Sequence, residues 1–159
     1  MKMRMPRAFP VLLLLASISC TREPADSETP LRPRSLPAVE SAVLDLVNQH
    51  RDGIGLAPLS YSAVAYTYAG DHTDYMIATG TLSHHDFDSR ASRIAADTNA
   101  KQVAENVARN YADAGAVLAA WLVSDSHRTT LEGNFTHTAV SVKEAPDGTL
   151  YFTQLFYLQ

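Results

Sequence analysis

The stretch from residue 138 to 158, "TAVSVKEAPDGTLYFTQLFYL", constrains the fold of this chain more than any other. Two runs of alternating side chains, rich in β-branched and aromatic residues, flank a Pro-Asp-Gly turn. That composition reverses the chain between antiparallel strands. The rest of the sequence must then supply layers that cover this hairpin.

Helical patterns precede it. Ala38 to Arg51 places Val39, Val43, Leu46 and Val47 at helical spacing and ends at "DGIG". A second helix is predicted from about Ala63 to Thr79, with a stripe of Ala65, Ala69, His72 and Met76, and Gly80 just past its end. Residues 81 to 100 read as irregular, with one short helical turn near "ASRIAA". "KQVAENVARNY" follows as a short strand or extended loop, Val103 and Val107 flanking Glu105. A third helix starts at Asp113, a good N-cap, and buries Val117, Leu118, Trp121 and Leu122. Helices with an antiparallel hairpin imply a layered α+β domain. No internal repeat, phosphate-binding glycine loop or heptad pattern is present.

The beginning of the chain is of a different kind. "MKMRMPRAF" carries Lys2, Arg4 and Arg7 with no acid, "PVLLLLA" is a short apolar run, and "SISC" offers small residues before Cys20. This order describes an export signal over residues 1–19. Its apolar run is well short of the roughly 20 residues a membrane span needs. Cys20 is the single cysteine, and "SISC" resembles a lipobox, departing from it at Ser17, where leucine is commoner. Cys20 is therefore expected to carry a lipid, with an ordinary cleaved signal and secretion as the alternative. Residues 21–37, "TREPADSETPLRPRSLP", have four prolines, several charges and few large apolar groups, and read as a tether. The folded domain is then expected over residues 38–159. Loss of residues 1–19 removes three of the 13 Lys and Arg and none of the 17 Asp and Glu, so the formal charge falls from −4 to −7 (10 minus 17). An acidic domain repels phosphate backbones, which argues against nucleic acid as a partner.

Several residues could carry chemistry. His84 and His85 sit just past the second helix, Glu105 lies among small and apolar neighbours, and Ser124 and His127 stand at the end of the third helix. Two imidazoles and a carboxylate would suit a divalent ion such as zinc, were His84, Glu105 and His127 to converge. Each also has a plainer reading. The histidine pair could favour the negative end of a helix dipole, Glu105 could pair with Arg109 or Arg93, and His127 could belong to a solvated turn. His72, on an apolar stripe, reads as a satisfied core histidine. A serine hydrolase would need Ser124 to meet a base such as His84. Ser126 and His127 are sequence neighbours, and no G-x-S-x-G elbow occurs.

Five segments, in order, resemble the CAP superfamily of cysteine-rich secretory, antigen 5 and pathogenesis-related proteins, and most of all its bacterial SCP-like extracellular domains. They are "LVNQHRDGIGLAPLSY", "AGDHTDYMIATGTLSH", "AENVA", "AWLVSDSHRTTLEGNFTHTAVSV" and "YFTQLF". The resemblance implies a three-layer α-β-α sandwich with a central antiparallel sheet. It also implies a cleft of two histidines and two glutamates that holds a divalent ion in some members. Carried over, His84 and His127 are the histidines and Glu105 the first glutamate. The second glutamate is absent, Ser124 standing three residues after Trp121. The chain also departs from the family's glycines in "SDSHR" and "HTAVSV". The expected function is an envelope-tethered binding or interaction module for a small molecule, lipid or protein, with a metal-dependent hydrolase using Glu105 as general base as the alternative.

Overall fold

A computed structural model describes residues 32–159. The expected export signal, Cys20 and most of the expected tether lie outside that range. The folded unit starts slightly before residue 38. Arg34–Ser35 forms a two-residue strand, β1, and helix α1 covers Pro37–Gly53, with proline at its first turn, where no amide hydrogen is needed.

Strand β2 (Ser60–Tyr61) leads into helix α2 (Ala63–Thr79). The Ser62 side chain accepts a hydrogen bond from the Ala65 amide at 3.2 Å, and Gly80 closes the helix in the left-handed region, φ 63°. Helix α3 (Phe87–Thr98) occupies a segment that the sequence reading leaves irregular. Its buried residues are Arg90, Ile94 and Thr98, four apart. Only one of the three is apolar, so the face has helical spacing without a hydrophobic stripe.

Strand β3 (Gln102–Arg109) fulfils the extended expectation for "VAENVA". Helix α4 (Ala114–Val123) is capped by the Asp113 side chain, which accepts from the Ala116 amide at 2.8 Å. The chain breaks at Ser124 and restarts as a short helix, α5 (Asp125–Leu131), so His127 belongs to a separate helix and not to the end of the third. Strands β4 (His137–Glu144) and β5 (Leu150–Leu158) form the hairpin, with Gly148 in its turn at φ 84°.

The sheet order is β1-β4-β5-β3, with β2 also on β4. All pairings are antiparallel except the two-residue β2–β4 pair. Helices cover both faces. Val43, Val47, Val117, Leu118 and Trp121 of α1 and α4 pack on Ala108, Val140, Val142, Phe152 and Phe156. On the other face, Ala65, Ala69 and Ile94 of α2 and α3 pack on Ala139, Leu155 and Tyr157. The result is a three-layer α-β-α sandwich. Polar groups lock the outer layer: Arg51, 2% exposed, donates to the carbonyls of Ala57, Leu131 and Gly133, and Asn48 brackets the Leu59 backbone.

Candidate functional site

Strand β3 lies at one edge of the sheet, and its alternation assigns the site. Glu105 pairs in register with Leu155 and so shares the face covered by α2 and α3. Asn106 points to the opposite face and donates from Nδ2 to the His127 carbonyl at 3.1 Å, which ties α5 to the same strand. Residues of both helical layers therefore meet this edge strand, one layer on each of its faces.

The Glu105 side chain is 1% exposed and fully engaged. Oε1 accepts from His84 Nδ1 at 2.9 Å, and Oε2 accepts from Arg90 Nε at 2.8 Å. Arg90 Nη2 also lies 2.6 Å from Oε2, but its hydrogens are not aimed along that line. It adds ion-pair attraction without a hydrogen bond of its own. The Glu105 partner is thus Arg90, in place of Arg93 or Arg109. Arg109 instead donates to the Gly80 carbonyl, and the loop after α2 is anchored by Arg90 Nη1 donating to the His85 carbonyl. Arg90 and Glu105 come from two elements, α3 and β3, and no sequence spacing links them.

His72 is a core histidine, as its place on the α2 stripe implies. Its Nε2 donates to the Ser83 carbonyl at 2.7 Å and sits 3.8 Å from Glu105 Oε1. It belongs to the same buried network, a role that the stripe alone does not disclose. Burial pushes its pKa below the usual 6.5, against the opposing pull of Glu105. His84 is half exposed, at 52%, with Nδ1 turned inward to the carboxylate. His85 points elsewhere and stacks on Tyr75, ring centres 4.9 Å apart.

On the α5 side of the strand, His127 Nδ1 meets Ser124 Oγ at 2.8 Å. Burial lowers the His127 pKa, and His84 is near enough that its charge lowers it further. Ser124 thus stands beside His127 as a neutral orienting group. Its hydroxyl meets His127, not His84.

The donor set does not fit a three-ligand metal centre. A carboxylate already bound by a guanidinium and an imidazole has no open face for an ion, and the nearby Arg90 charge opposes one. Among the described residues no group of three or more His, Cys, Asp or Glu side chains is placed to hold a metal ion.

The three-layer sandwich defines a fold class, and comparison with known proteins identifies the family that shares it. A model of the cysteine-rich secretory protein family, CAP, matches residues 44–156, and the chain belongs to that family. It is 32% identical over 121 residues to the uncharacterized membrane protein YlbC of Bacillus subtilis. That match covers 74% of this chain and 34% of the relative, so the chain spans about a third of that protein. An extracellular protein containing an SCP domain from Bacillus anthracis superimposes with a TM-score of 0.66 at 25% identity, over 77% of this chain and 41% of that one. An outer surface protein of Borrelia burgdorferi shares the fold with a TM-score of 0.71 at 18% identity, over 80% and 98% of the two chains.

Proposed function

We propose that this chain is a non-enzymatic binding module of the bacterial cell envelope. Its cleft of His84, Glu105, Ser124 and His127 takes a small polar ligand, or the polar group of a lipid or partner protein. One observation carries this reading: Glu105 is spent on positioning. With both oxygens engaged and its side chain 1% exposed, it is not free to take a proton from water. Instead it fixes the His84 ring through Nδ1 and leaves the outer edge of that ring, Nε2, as an acceptor when the imidazole is neutral. His127, held by Ser124, adds a second oriented imidazole. Two oriented rings over a buried ion pair form a preorganised recognition surface.

Export is supported by the kinds of proteins it resembles, one extracellular, one an outer surface protein and one a membrane protein. In this reading Cys20 carries the lipid and residues 21–33 tether the domain to the membrane. The zinc-hydrolase alternative would need Glu105 as general base with the histidines holding zinc, and the Arg90 ion pair opposes that base role.

The test follows the imidazole resonances of His84 and His127 through a ligand screen, beside a His84→Ala, His127→Ala double variant. The expected result is a ligand that shifts both rings and is lost in the folded variant. Zinc titration calorimetry on the same pair should show no one-to-one binding tighter than about 10 µM. Tight zinc binding that vanishes in the variant, with turnover that drops by orders of magnitude in Glu105→Gln, would establish the hydrolase instead.

A further inference from the structure

The fold buries a second glutamate, and this one has no cationic partner among the described residues. Glu40, 9% exposed, lies in the first turn of α1 beside the far edge of the sheet, across β4 and β5 from the histidine cleft. Its Oε1 accepts from the Val142 amide at 2.9 Å and Oε2 from the Tyr66 hydroxyl at 3.1 Å, while Ser35 Oγ approaches at 3.4 Å. All three donors are neutral. Among the described residues Glu40 joins no ion pair, whereas the equally buried Glu105 is neutralised by Arg90.

Glu40 also lines a cavity of about 480 Å³ with Tyr61, Tyr66, Leu44, Pro37 and Val140. Among the described residues no Lys, Arg or His contributes to its wall. The two tyrosine rings face each other at 6.2 Å and 49°, a half-open aromatic corner. Tyr61 is 56% exposed and its side chain makes no hydrogen bond among the described residues, so its ring is open to a ligand. Burial, then the neighbouring Tyr66 and Glu40, push the Tyr61 hydroxyl pKa up, which keeps the phenol neutral.

We propose that this cavity is a binding site for an organic ammonium ion, a protonated or quaternary amine with a short apolar body. The negative faces of two tyrosine rings and one uncompensated carboxylate attract a cation, and Leu44, Pro37 and Val140 cover its apolar part. The volume lies within the roughly 300–1,000 Å³ usual for small-molecule sites. The structural role of Glu40, satisfying the edge amide of Val142, requires an acceptor but not a charge. A glutamine keeps the acceptor, at a modest cost from the charge that the first turn of α1 favours.

That difference makes the site testable in the full chain. Calorimetry with choline, paired with NMR of the tyrosine rings, should show saturable binding at this cavity. Dimethylbutanol, the neutral carbon analogue of choline, should bind at least about tenfold more weakly. Glu40→Gln can keep bonds to Val142 and Tyr66 and should weaken choline by about tenfold or more while the variant stays folded, with only a modest loss of thermal stability. If Glu40→Gln fails to fold, Tyr61→Ala decides, because that side chain is exposed and holds nothing together. Absence of saturable binding of choline and of benzyltrimethylammonium, equal binding of the neutral analogue, or unchanged affinity in a folded variant would each overturn the proposal.

Discussion

At the scale of single residues, buried charge is handled in two opposite ways. Arg90 and Glu105 cancel one another within the core, and each leaves a costly orphan if the other is removed. Arg90→Ala should therefore lower stability by about 3–5 kcal/mol in chemical denaturation, far more than an exposed arginine would. Replacing both by apolar residues of similar size should restore much of the loss while releasing His84, whose ring resonance would broaden. His72 makes a separate prediction. Its folded pKa lies below 6.5, so below that pH the unfolded chain binds more protons than the folded one, and stability falls with pH. The half-buried His127 acts in the same direction. Thermal melts should show a decline beginning near pH 6.5 and continuing as pH drops, and His72→Gln should flatten it. A melting temperature independent of pH between 7 and 5 would contradict the burial argument. His72 on its stripe was legible in the sequence, while the ion pair was not, because Arg90 and Glu105 meet only through packing.

At the scale of elements, legibility followed the kind of signal each segment carries. Helices α1, α2 and α4 announce themselves by apolar spacing, with Gly80 and Asp113 as local end signals, while Pro37, read as tether, and Ser62 emerge as start residues only in the structure. The hairpin does so by alternation around Pro-Asp-Gly. Helix α3 escapes because its inward face is Arg90, Ile94 and Thr98, and a buried arginine looks like a surface residue until its carboxylate is found. Strands β1 and β2 are two residues each and exist only through pairing with β4. The break at Ser124 is equally silent in the sequence. Its consequence is that His127 is re-aimed by a new helix while Ser124 turns its hydroxyl to that ring.

At the scale of the whole molecule, the sandwich uses its two sheet edges differently. The β3 edge gathers His84, Glu105 and His127 from both layers, while the β4 edge is partly closed by short strands and by Glu40. No helix among the described residues is long and apolar enough to cross a membrane, so attachment in the proposed reading rests on Cys20. Expressed in bacteria, the full chain should partition into the detergent phase, and Cys20→Ser should move it to the aqueous phase. Equal partitioning of both would remove the lipid anchor from the proposal. The sequence by itself determined helices α1, α2 and α4, the hairpin, the layered class and the family resemblance, because periodicity, caps and turns are local properties of a chain. Only the tertiary structure decided that Glu105 is neutralised by Arg90, that Ser124 serves His127, and that Glu40 is buried without a counter-ion. Each of these depends on which distant groups share a low-dielectric interior, where pairing governs what a charge can do.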